Sequence, residues 1–137
     1  RLAAYRGQDL HRPVRLLTTG LCPARLALDA PDATQRDLAS GANVLEALFD
    51  AIQEVSLEMA RYVMQEVGQN VDVMVCGDDL GGQRRLQMRH EQYVKYIKPR
   101  HAKHFRLLHD LSPAKLLFHS CGSVASTYRS TGRTARG

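Results

Sequence analysis

From Asn43 to Gly68 the apolar residues Leu45, Leu48, Ile52, Val55, Met59, Tyr62, Val63 and Val67 recur at three- and four-residue spacing. That period predicts a long amphipathic helix, with Gly68 placed to end it. Gln69 and Asn70 turn the chain into Val71-Asp72-Val73-Met74-Val75-Cys76, a β-rich run suited to a buried parallel strand, with Asp72 near water at its start. A second helical stretch is expected over Glu91 to Ile97. Pro99 suits the first turn of another helix, where its missing N–H costs nothing, and Phe105, Leu107 and Leu108 supply its buried side as far as about Asp110. Leu111 to Ala114 is a connection, and Lys115-Leu116-Leu117-Phe118 the next strand. The first forty residues show no sustained period, and Pro13, Pro23 and Pro31 interrupt them.

The order helix, strand, loop, helix, strand, loop implies a helical crossover, so that the two strands run parallel and both loops open at one end of the sheet. These loops are Gly77-Asp78-Asp79-Leu80-Gly81-Gly82-Gln83 and His119-Ser120-Cys121-Gly122. In parallel α/β folds, ligands bind at that end because the loops vary while the sheet stays fixed.

A chain of 137 residues, 44% hydrophobic and 24% charged, has the composition of a soluble globular protein. It has no apolar run near the roughly 20 residues of a membrane span and no secretory signal pattern at Arg1-Leu2-Ala3-Ala4-Tyr5-Arg6, so a cytoplasmic location is expected. Cys22, Cys76 and Cys121 are an odd number without paired spacing, which points to reduced thiols rather than a disulfide framework. The net charge of +5 does not fall on one face or stripe, and no aromatic platform accompanies it, which argues against nucleic acid as partner.

Adjacent carboxylates Asp78 and Asp79 at a strand end, flanked by Gly77, Gly81 and Gly82, can orient a substrate, accept a proton or bind a cation, with Gln83 adding an amide. The plainer alternative is an Asx-type turn. His119 and Cys121 offer an imidazole nitrogen and a thiolate sulfur, the donors zinc prefers. Their plainer reading is a strand-capping histidine and an inert buried thiol. Cys76 closes an apolar strand and reads as core, so Asp78 or Asp79 is the better third ligand from this chain. His101, His104 and His109 stand at helical spacing among Lys103 and Arg106, the pattern of a solvated helix face. Arg84, Arg85 and Arg89 follow the Gly-rich loop and could meet an acidic substrate.

From about Leu38 to Val124 the chain resembles the uroporphyrinogen decarboxylase superfamily. Three separated motifs fall in order: the Gly77-Asp78-Asp79-Leu80-Gly81 loop, the stretch Tyr93-Val94-Lys95-Tyr96-Ile97-Lys98-Pro99-Arg100-His101, and the His119-Ser120-Cys121-Gly122 loop. The resemblance implies a (β/α)8 barrel, which takes roughly 250 residues. The chain is therefore expected to be a partial barrel, a fragment or an interrupted reading of a longer gene, with about two parallel strands over 38–124. Residues 1–37 are expected to be irregular and 125–137 a disordered tail; neither resembles the family, and a shifted reading frame would account for both.

The HxC loop is similar to that of the branch whose members are zinc-dependent methyltransferases acting on a thiol, often with a corrinoid protein, where the third ligand is a cysteine further along. The resemblance thus implies His119 and Cys121 as zinc ligands, while the family's catalytic Asp and substrate-binding Arg motifs are not found here; position after a parallel strand makes Asp78 and Asp79 the candidate catalytic groups, with a small-molecule substrate at Gly77, Gly81, Gly82 and Gln83. The alternative within the family is uroporphyrinogen decarboxylase itself, a cofactor-free carboxy-lyase of tetrapyrrole synthesis. A basic nucleic-acid-binding module is the reading from a different class. Alone, a partial barrel with open sheet edges is expected to be inactive and to self-associate or depend on its missing half.

Overall fold

The structure is a computed structural model that describes residues 14–19, 43–83 and 88–124. It is an α/β unit whose three strands, β1 (Leu16–Thr19), β2 (Val73–Gly77) and β3 (Lys115–His119), form one parallel sheet with β2 in the centre. Helix α1 (Asn43–Val67) lies between β1 and β2 in the chain, and helix α2 (Lys98–Leu111) between β2 and β3. The sheet has three strands rather than about two, because part of the stretch read as irregular pairs with β2. Leu16 to Thr19 is too short to show a period, and long-range bonds define it instead. Arg15 donates its backbone N–H to the Asp72 carboxylate at 3.0 Å, and its carbonyl accepts from the N–H groups of Asp72 and Val73 at 3.0 and 3.3 Å. Described residues do not include 125–137, nor Arg84 and Arg85.

Helix α1 forms where its period predicts it, and a 3-10 turn over Gly68–Asn70 follows. Its buried face coincides only in part with the stripe that the spacing suggests: Leu45 is buried and Ile52 and Val63 are half-buried. Leu45, Phe49, Gln53, Ser56, Leu57, Ala60 and Met64 are buried, whereas Leu48, Val55, Met59 and Tyr62 are 48–70% exposed. The two stripes lie side by side around the helix, and packing against α2 and the sheet selects the first.

The second helical stretch and α2 are continuous. Arg89 caps a turn over His90–Gln92, its backbone N–H donating to Gln92 Oε1 at 3.0 Å, and a wide π segment over Tyr93–Ile97 runs straight into α2. Pro99 sits at the first positions of α2 as expected, without a break. The π segment explains why: Lys98 N–H reaches back five residues to the Tyr93 carbonyl, which relaxes the ladder just where a proline would otherwise interrupt it. The wide turn also buries Tyr93, Tyr96 and Ile97 together, with Leu45, Phe49, Leu80 and Met88.

Both helices cover the same face of the sheet. Leu17, Met74 and Leu116, side by side in register on the three strands, pack under Ala60 and Met64 of α1 and Leu107, Leu108 and Leu111 of α2. Cys76 and Phe118 continue that face and meet Phe105. The alternate residues point the other way, where Leu16 and Leu117 are 66% and 55% exposed. Among the described residues no helix is long and apolar enough to cross a membrane.

Candidate metal centre

Pairing of β2 with β3 brings the two loops side by side at the carboxyl ends of the strands. Gly77 lies opposite His119, and Asp78 N–H donates to the His119 carbonyl at 3.0 Å. Three further bonds join the loops: Leu80 N–H to Ser120 Oγ at 3.1 Å, Cys121 N–H to Asp79 Oδ1 at 3.2 Å, and Ser123 N–H to the Gly82 carbonyl at 2.8 Å. The glycines allow this approach. Gly122 has φ +79°, and a Cβ on Gly81 would lie 2.7 Å from Ser123 N and 2.8 Å from the Cys121 carbonyl oxygen.

Strand alternation continues into the first loop and separates its two carboxylates. Met74, Cys76, Asp78 and Leu80 are all buried on the helix side. Asp79 has the opposite parity and turns toward the open side of the sheet, where His119 and Cys121 stand at the end of β3. One donor atom from each of Asp79, His119 and Cys121 lies within 4.8 Å of the others, and His119 Nε2 is 3.2 Å from Cys121 Sγ. His119 and Cys121 are exposed and Asp79 is half-buried.

This donor set fits a metal ion. Ligand atoms held about 2.0–2.3 Å from one zinc ion lie roughly 3–4 Å apart, and nitrogen, sulfur and carboxylate oxygen are the donors zinc takes. Three protein ligands at a solvent-facing mouth leave a fourth position for an exogenous group. Of the two aspartates that the sequence offered as a third donor, Asp79 is the one that stands beside His119 and Cys121. Cys76 is fully buried between the helices and the sheet, as expected of a core thiol.

Asp78 stands apart from the cluster. It is 1% exposed, and its Oδ2 lies 2.8 Å from Nε2 of His101, which is wholly buried on α2. The sequence read His101 and His104 as part of a solvated face; both are buried, and only His109 is exposed. The helical period explains the correction, since Ile97, His101, His104, Phe105 and Leu108 form one inward stripe. Burial first, and the neighbouring His101 second, lower the pKa of His104 to about 4, so its ring is neutral at physiological pH.

Gly77 and Gly82 are half-buried between the loops, Gly81 is buried, and Gln83 is exposed at the rim. Two contributors went unread in the sequence. Ser120 accepts a bond from Leu80, and His101 holds Asp78; the serine gave no pattern, whereas the histidine was legible in its spacing to Phe105. Compared with protein-family models, with curated proteins and with solved structures, the chain matches none.

Proposed function

We propose that this chain carries part of the active centre of a uroporphyrinogen decarboxylase-like enzyme of the zinc-dependent, thiol-methylating kind. One observation carries the reading: Asp79, His119 and Cys121 converge at the carboxyl ends of neighbouring parallel strands, on the sheet face opposite α1 and α2. A (β/α)8 barrel has its helices outside and its chemistry at that end, whereas doubly wound sheets carry helices on both faces. Among the described residues α1 and α2 both pack on one face, with apolar Leu16 and Leu117 exposed opposite, which supports the reading of a barrel wall.

His119 and Cys121 would hold the metal through Nε2 and Sγ, and Asp79 through its carboxylate. Zinc bound there supplies the Lewis acidity that keeps a substrate thiol ionised as the nucleophile near neutral pH. Gly81 lets the two loops approach closely beside the mouth, where a small thiol would bind, and a corrinoid protein is the methyl source that the resemblance suggests. Membrane and nucleic acid have no part in this reading.

Titration of the 137-residue chain with zinc, and with cobalt(II) as a spectroscopic substitute, tests the proposal. One metal per chain is expected, with a thiolate-to-cobalt charge-transfer band that disappears in Cys121→Ala and weaker binding in His119→Ala and Asp79→Ala. Absence of stoichiometric binding would defeat it and favour the cofactor-free decarboxylase.

A further inference from the structure

We infer that His101 is the positioning residue of the candidate metal centre, acting on both strands that carry its ligands; the inference rests on the metal-site reading above. His101 bonds to Asp78 and packs on Phe118, which precede Asp79 and His119. It works through their neighbours in the chain.

On the β2 side its Nε2 lies 2.8 Å from Asp78 Oδ2, in a hydrogen bond that both partners make while fully buried. Asp78 and Asp79 are consecutive in extended chain, so a fixed Asp78 carboxylate fixes the opposite direction taken by Asp79. On the β3 side the His101 ring packs against Phe118, the residue before His119, with centroids 5.2 Å apart. Phe105 stacks on the ring at 5.6 Å and Tyr93 meets it at 6.0 Å, so the imidazole is held between aromatic side chains. Asp78 closes the circuit, donating its backbone N–H to the His119 carbonyl while its side chain is held by His101. One buried ring thus sets the relative placement of Asp79 and His119, which come from loops 40 residues apart in sequence. A buried polar pair costs desolvation, and its geometry is what such a pair contributes in return.

A structural role would be satisfied by any group that fills the space, whereas a positioning role needs the donor atom. The test compares the full chain with the double variant His101→Phe/Asp78→Leu, which keeps aromatic packing and leaves no buried charge unpaired, and with His101→Gln, whose amide donor can reach Asp78. Cobalt(II) is added to each, affinity is read by chelator competition and ligand field by visible absorption. Alkylation of Cys121 without metal, followed by peptide mass, is a second arm. The double variant, folded by circular dichroism, is expected to bind about 10–100-fold more weakly, the usual effect of losing an outer-shell partner, with shifted ligand-field bands and a changed alkylation rate. His101→Gln should restore all three toward wild type. Wild-type affinity, spectrum and alkylation in the double variant would overturn the positioning role and leave the metal centre standing. If the wild-type chain itself binds no cobalt, the metal centre fails, and the alkylation arm alone decides whether His101 orders the two loops.

Discussion

Aspartate and histidine occur in two settings a few ångströms of backbone apart, and the settings give them opposite work. Beneath the helices, Asp78 and His101 are buried among Tyr93, Phe105 and Phe118 and bonded to each other. At the open mouth, Asp79 and His119 face solvent beside the Cys121 thiol. Residue type is the same in both; burial decides whether it serves as a tie or stands open to a ligand. The closed region should therefore control stability and the open one metal binding, and mutations can be ranked by how sharply they divide the two.

The largest stability effect is expected where the closed region loses one partner only. His101→Leu leaves the Asp78 carboxylate buried without its partner and should cost about 3–5 kcal/mol, read as a lower urea midpoint at unchanged slope. A loss below 1 kcal/mol would mean that the pair is not sealed and would blur the comparison.

Next is the acid response of His104. Its ring takes a proton near pH 4 when folded and near 6.5 when unfolded, so the unfolded state binds more protons between these values. Stability from this group is complete above about pH 6.5 and declines as pH falls, by about 3 kcal/mol at pH 4. His104→Leu should remove that component, and the difference between the two stability-against-pH curves isolates it from the carboxylates.

The mouth should resist change at its backbone more than at its ligands. In Gly122→Ala a methyl group would meet Gly81 and Gly82 at a positive φ, for an expected loss of about 1–3 kcal/mol together with weakened metal binding. Cys121→Ser, exposed and outside the core, should change stability by no more than about 0.5 kcal/mol while abolishing the thiolate band of the cobalt form. Equal stability losses from Cys121→Ser and His101→Leu would erase the distinction between the regions.

Much of the fold was legible because it rests on local period. Helix α1 and the start of α2 at Pro99 follow from spacing and from proline chemistry, and β2 and β3 lie within one or two residues of their apolar runs. The two chemical loops were found, and their adjacency followed from parallel crossovers. Strand β1 was not legible, since four residues carry no period and Arg15 and Asp72 are 57 positions apart. The exposed apolar stripe of α1 misled for a related reason: Leu48, Val55, Met59 and Tyr62 satisfy a helical period as well as the buried stripe does, and only the partner surface chooses.

The sequence by itself determined that a parallel α/β unit presents an aspartate pair and an HxC loop at one sheet end, because helix period, strand composition and glycine placement act locally. Tertiary structure alone decided which aspartate joins His119 and Cys121 and which is sealed against His101. Side-chain alternation sets the two directions, but helix packing fixes which face is closed, and that is a property of contacts far apart in the chain.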